Sequence, residues 1–292
     1  MSTPPTDSLR RATFAHITPR QNVLPTDREL RWFKHIERHG SHSSECLFEL
    51  TRGTHRCKDT ALRDLQKLRA GGYLLLPRQQ RQTERAEFNP YIYDLSRYGK
   101  QYLAGCGIAE ATIRPTGHWW HGYTVSAITG AWDILAAREG NQFIPAHEIL
   151  ERNGADLAIP MGKNKLIPDQ LFAIRYQDGY RAFLLEVDRA TEPYRSAAAR
   201  KSIARTIDQY AILIQSDRHR QHYGLKASTA ILWAFTSPTR LSVFQQMVRD
   251  RAPRLADHFL CKSLPERLSW TSLKAFHYRA WIGCKGTQVA GL

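Results

Sequence analysis

Residues 166–192 read LIPDQLFAIRYQDGYRAFLLEVDRATE, and this stretch decides the fold of the C-terminal part of the chain. Two runs rich in aliphatic and aromatic residues flank Asp178-Gly179, a dipeptide that favours a tight hairpin turn. The spacing predicts strands over 166–175 and 180–188. A two-residue loop at Asp178-Gly179 pairs Gln177 with Tyr180, which sets Asp169 opposite Asp188 and Leu171 opposite Glu186. Side chains alternate between the faces of a strand, so Asp169, Glu186 and Asp188 share one face. Directly opposed side chains have Cβ atoms about 4.5–5.5 Å apart, and like charges so opposed destabilise a sheet. Such a patch needs a compensating cation, a shared proton or open water. Mg²⁺ or Mn²⁺ suits carboxylate oxygens and keeps water for chemistry; solvated strand ends are the plainer reading of the same acids.

On either side of this hairpin the chain alternates helix and strand. The apolar spacing predicts a helix over His118–Glu139, with Val125, Ile128, Trp132 and Leu135 facing inward, and a short extended piece at Phe143-Ile144. After the hairpin it predicts a helix over 194–215, a strand over 229–236 and a helix over 238–250. The last forty residues carry short apolar patches with no readable order. Glu148 is a candidate fourth acid.

The N-terminal part has a different rhythm. Thr26-Asp-Arg-Glu29 matches a capping box, and Leu30, Phe33 and Ile36 continue as a helical stripe to Gly40. A second helix starts near Ser43 or Ser44, and a third runs from about Arg56 to Ala70, ended by Gly71-Gly72. Strands follow at Tyr73–Leu76 and Tyr91–Leu95 with a basic stretch between them, and a last helix begins near Arg97. Three helices and a hairpin are the winged helix-turn-helix plan. The third helix is the recognition helix on this reading, because Arg56, Lys58, Thr60, Arg63 and Lys67 lie on its polar face; such a helix enters the major groove. Arg78, Arg81 and Arg85 on the wing would hold phosphates. A winged helix used for protein contacts is the alternative.

The expected organisation is therefore a flexible arm over 1–24 carrying Arg10, Arg11 and Arg20, a winged helix over 25–105, a linker over 106–117, and an α/β domain over 118–292. At roughly 100–200 residues per domain, 292 residues also suggest two.

Charge narrows the partners. Forty-two Lys and Arg against 27 Asp and Glu give a net charge of +15. Up to Pro115 there are 19 basic and 12 acidic residues, a net +7, which leaves +8 for the rest. Both parts are basic, which favours a polyanion, nucleic acid before anionic membrane. No apolar run nears the ~18 residues a bilayer span needs, and the first residues carry no secretory apolar core. Five scattered cysteines without a C-x-x-C pair fit a reducing cytoplasm. His118, His121, His219 and His222 lack a third metal ligand, and His35, His39, His42 and Cys46 lack finger spacing, so both groups read as structural or surface residues. No phosphate-binding glycine loop or nucleophile elbow is present, so no nucleotide or organic cofactor is indicated.

The order Pro168-Asp169, hairpin, Glu186-x-Asp188 resembles the PD-(D/E)XK nuclease superfamily. That resemblance implies a restriction-endonuclease-like fold in which Asp169, Glu186 and Asp188 bind metal. The lysine usual two residues after the second acid is replaced by Asp188; in some branches it moves to the following helix, which points to Lys201, with Lys163 and Lys165 behind it. With the winged helix, the pattern around Pro168, Asp169, Phe172, Glu186, Asp188, Arg189, Thr191, Glu192, Lys201 and Tyr210 is similar to the replication-relaxation family of plasmids and mobile elements, which includes MobC-type mobilisation relaxases. The similarity spans about residues 26–236. It implies double-stranded DNA as partner, leaves single-stranded DNA at an origin open, and fits either a Mg²⁺- or Mn²⁺-dependent endonuclease or a non-catalytic DNA-binding accessory protein or regulator.

Overall fold

The computed structural model describes residues 13–82, 89–114, 117–190, 192–196, 202–226 and 229–289. The chain divides into two compact units, residues 1–130 and 131–292.

In the first unit α1 (Asp27–His39) opens at Thr26, whose side chain accepts from the Glu29 N–H while Glu29 reaches back to the Thr26 N–H, and it ends at Gly40. β1 (His42–Ser43) leads into α2 (Ser44–Leu50), capped by the Ser43 hydroxyl. α3 (Lys58–Ala70) follows. Gly72 takes φ 82°, the left-handed turn that glycine accepts most readily after a helix. β2 (Leu74–Leu75) and β3 (Ile92–Leu95) pair antiparallel, and β1 joins on the far side of β3. α4 (Arg97–Gly105) closes the set, capped by Ser96. Between β2 and β3 residues 78–81 form one 3₁₀ turn. Buried Gln80 stands in for a strand partner there: its amide donates to Ile92 O at 2.9 Å and accepts from Ile92 N at 2.9 Å.

Trp32, Phe33, Ile36, Leu47, Leu65, Leu68 and Leu103 build the core of this unit. Each such side chain contributes about 1.5–3 kcal/mol by leaving water. Trp32 also satisfies its indole N–H on Leu47 O at 2.6 Å and stacks on His55. Part of the segment expected as a free arm is tied down. Arg69 donates to Thr13 O and Phe14 O, Arg20 N to Ala70 O, and the Tyr73 hydroxyl to Val23 O. Arg10 and Arg11 lie outside the described residues.

α5 (Trp119–Arg138) runs across the division between the units. Val125, Ile128, Trp132 and Leu135 are buried as expected, but so is nearly every residue over 123–136. Such a helix is apolar all round rather than striped.

The second unit holds β4 (Gln142–Pro145), α6 (Ala146–Glu151), the small hairpin β5 (Ile159–Met161) and β6 (Asn164–Leu166), β7 (Gln170–Tyr176), β8 (Gly179–Asp188), α7 (Ile203–Gln215), α8 (Arg218–Tyr223), β9 (Thr229–Phe235), α9 (Pro238–Arg251), β10 (Phe259–Ser263), α10 (Trp270–Tyr278), β11 (Trp281–Gly283) and β12 (Gln288–Val289). Seven strands form one mixed sheet in the order β12-β11-β10-β9-β8-β7-β4. β8, β9 and β10 run parallel, and the remaining pairs are antiparallel. β8 is buried from Ala182 to Asp188, which is why its sequence is a continuous apolar run broken only by acids. The unordered last forty residues thus add three strands to this sheet. The chain is α+β, with helices and a mixed sheet.

Three expectations need correction. The hairpin closes on Tyr176 and Gly179 around Gln177-Asp178, so Leu171 faces Leu184 and not Glu186. Gly179 takes φ 149° at the first strand position instead of within the turn. The slip is two residues, so every side chain keeps its face. The first strand begins at Gln170 rather than 166, because Pro168 has no N–H to give a ladder. The helix expected over 194–215 begins only at Ile203: Ser202 caps it, and the carbonyls of Pro193 and Tyr194 take the N–H groups of Ile203 and Ala204.

Candidate functional site

The corrected register puts the three acids at one end of the central strands. Asp169 immediately precedes β7, and its Oδ2 accepts from the Val187 N–H at 2.7 Å, continuing the ladder with a side chain where the backbone has left it. By continuation of that ladder its cross-strand neighbour is Glu186 rather than Asp188. Glu186 is buried, and its Oε1 accepts from the Tyr210 hydroxyl of α7 at 2.6 Å. Burial, then the Glu186 charge, push the Tyr210 phenol well above its usual range, so it stays protonated and remains a donor. Asp169 adds to that shift, which puts its charge within reach of the same hydroxyl.

Asp188 is held differently. Arg240 grips both carboxylate oxygens, Nη2 to Oδ1 at 2.9 Å with Nε on Oδ2, and Ala190 N donates to Oδ1 at 3.1 Å. Arg240 also donates to Glu192 O at 2.8 Å and lies over the Tyr194 ring. Its hydrogen bond to Asp188 raises its pKa further. Ala190 sits at φ 61°, a conformation that costs a non-glycine residue about 1–2 kcal/mol. The strand end, the 192–194 segment and the first turn of α9 are thus joined through one guanidinium. Sequence reading missed Arg240. Its signal was an arginine in the first turn of a helix with no acid there, against the helix dipole unless a carboxylate faces it.

Among the described residues, Asp169, Glu186 and Asp188 do not form a cluster with all three donor atoms within 4.8 Å of one another. Each has a protein donor instead: a backbone N–H, a phenol and a guanidinium. Lys201 and Thr191 lie outside the described residues. Lys163 and Lys165 are exposed on the β5–β6 hairpin, and Glu148 is half-buried in the first turn of α6.

The replication-relaxation family matches residues 33–229, which include the second half of α1, all of α3 and the three acids. The chain belongs to the replication-relaxation family. That membership suggests interaction with DNA and a role in the replication or mobilisation of plasmids or other mobile elements. No curated protein and no solved structure gives a significant match to the chain.

In this replication-relaxation protein the basic face expected on the third helix divides in two. Arg56, Lys58 and Arg63 are exposed at and near the start of α3, and Thr60 is half-buried beside them. Lys67 is turned inward onto the fully buried Glu29, and Lys58 meets Glu45 at 3.2 Å. Arg78 and Arg81 are exposed on the 3₁₀ turn, and Arg81 lies over the Phe14 ring. Arg85 lies outside the described residues. His219 is buried on α8, and His222 Nε2 bonds Asp156 O at 2.7 Å. No helix among the described residues is long and apolar enough to cross a membrane.

Proposed function

We propose that this protein binds double-stranded DNA through its N-terminal unit, docked as a winged helix-turn-helix, and makes a divalent-ion-dependent nick or cut at a replication or transfer origin with its C-terminal unit. What carries the reading is the bond from Val187 N–H to Asp169, which sets one acid across from Glu186 in the acid–hairpin–acid order of the PD-(D/E)XK plan. Asp169 and Glu186 hold Mg²⁺ or Mn²⁺. When bound, such an ion polarises the phosphate and lowers the pKa of a water. Tyr210 fixes the Glu186 carboxylate, and Arg240 with Asp188 anchors the strand end. Lys201 steadies the attacking water or the scissile phosphate. In the N-terminal unit Arg56, Thr60 and Arg63 meet base edges, while Arg78, Arg81 and Arg85 meet phosphates.

A second reading, a non-catalytic DNA-binding accessory protein in the cytoplasm, is favoured by the protein donor at every acid. The test is nicking of supercoiled plasmid with Mg²⁺ or Mn²⁺ by the parent and by Asp169→Asn. Cleavage by the parent that Asp169→Asn loses, with DNA affinity kept, supports the catalytic reading. Binding by both proteins with no cleavage by either supports the accessory protein. DNA affinity that does not fall with salt removes both, since counterion release requires log K to drop by about 0.9 per phosphate contact for each decade of salt.

A further inference from the structure

Among the described residues outside the acidic site, a cluster of ligating side chains lies buried in the N-terminal unit. One donor atom each from His35, His42 and Cys46 lie within 4.8 Å of one another, and all three residues are buried. They come from three consecutive elements: His35 from the middle of α1, His42 from β1 and Cys46 from the first turn of α2. The sequence did not reveal this, because the spacing matches no finger and only the turn at Gly40 folds the second and third ligands back over the first.

The His35 and His42 rings are 4.6 Å apart, and the His39 ring lies 4.7 Å from His35 on the next turn of α1. His39 is steered away from His42 by the bond between its Nδ1 and Thr129 Oγ1 at 3.0 Å. Space is kept open from the α5 side by Gly130. A Cβ there would come within 2.3 Å of His42 Nε2 and 3.0 Å of His35 Nε2, so no other residue fits without displacing both nitrogens. Two imidazoles and a thiolate are the donor chemistry of a borderline-soft ion, and His and Cys ligands in a closed, buried setting are the mark of structural zinc.

We propose that His35, His42 and Cys46 bind one Zn²⁺. The ion ties α1, β1 and α2 together and so fixes the scaffold on which α3 is carried. Binding confined to the native state raises stability by mass action. The site shares no residue with Asp169 and Glu186, and it stands whichever reading of those acids holds.

The experiment uses the full chain, stripped of metal by chelator and dialysed, then titrated with Zn²⁺ and, as a spectroscopic probe, Co²⁺. One equivalent of Zn²⁺ per chain is expected in Asp169→Asn, and in both that variant and the parent an upward shift in Tm and a thiolate-to-cobalt charge-transfer band. Cys46→Ser and His42→Asn should abolish the band, whereas the Cys57→Ser, Cys106→Ser double variant and Asp169→Asn should keep it. The parent spectrum needs no variant to fold: folded parent protein that takes up Co²⁺ without a thiolate band, or takes up no metal, overturns the proposal. So does a band that survives Cys46→Ser, or one that is lost in folded Asp169→Asn.

Discussion

Arg240 answers Asp188 with two hydrogen bonds at the end of the central strand, and the Asp188 side chain is only 2 % exposed. Removing one partner of such a pair leaves the other charged and dry, at a cost of about 3–5 kcal/mol. Arg240→Ala should therefore lower unfolding free energy in urea by about that amount. Asp188→Asn should cost less, because Arg240 keeps Glu192 O and the Tyr194 ring. If a divalent ion rather than Arg240 were the main partner of Asp188, Arg240→Ala would cost little once Mg²⁺ was added.

Arg63 and Lys67, both on α3, should separate by phenotype. Arg63 is exposed, and Lys67 is turned onto buried Glu29, which also caps α1. Arg63→Ala should keep the Tm and weaken preference for the cognate site by about 1–3 kcal/mol in competition binding, the worth of one base-edge contact. Lys67→Ala should lower Tm and spare sequence preference. Equal loss of preference in both variants would refute the division of this face.

These contrasts mark what the sequence holds and what it hides. Thr26, Glu29 and Gly40 announce α1 because caps are local chemistry, and the heptapeptide Ala182–Asp188 announces a buried strand because burial demands apolar residues. The face shared by Asp169 and Glu186 was legible because strand period is two, and a two-residue slip preserves it. The exact partner was not, since it hangs on which backbone position uses Gly179. Arg240 and Asp188 are 52 residues apart in sequence, and the His35–His42–Cys46 cluster depends on a chain reversal, so neither leaves a periodic trace.

Acid should destabilise the protein through its buried histidines. Burial, then the Lys262 ammonium, lower His277 to about 4, with Glu139 Oε1 3.9 Å from its Nε2. The unfolded chain titrates near 6.5, so between about pH 6.5 and 4 the unfolded state binds more protons and stability falls as pH falls. The contribution amounts to about 3 kcal/mol across that window. His55 and His219, also lowered by burial, act in the same direction. Lys262, lowered to about 7 by burial, extends the same slope from neutrality toward its unfolded value. His277→Gln should flatten the acid limb of stability against pH in urea titrations, and an unchanged limb would count against a neutral His277 in the fold.

Thiol reactivity should follow the cysteines' surroundings. Cys57, exposed at the start of α3, has its thiol held below the usual range by hydrogen bonds from Thr60, so more of it is thiolate at a given pH. The thiolate is the nucleophile. Cys261 and Cys284 are buried with sulfurs 3.7 Å apart, and burial, then its neighbour, push the Cys261 thiol up. Iodoacetamide near neutral pH should therefore label Cys57 first and leave Cys261 and Cys284 untouched until the protein unfolds. Peptide mass mapping over time checks the order. Cys57→Ser should remove the fast phase, and labelling of Cys261 in folded protein at the rate of Cys57 would mean that the β10–β11 pair opens far more readily than its buried packing implies. Because Cys57 immediately precedes α3, bound duplex DNA should slow its labelling if that end of the helix faces the groove, and leave the rate unchanged if α3 docks elsewhere.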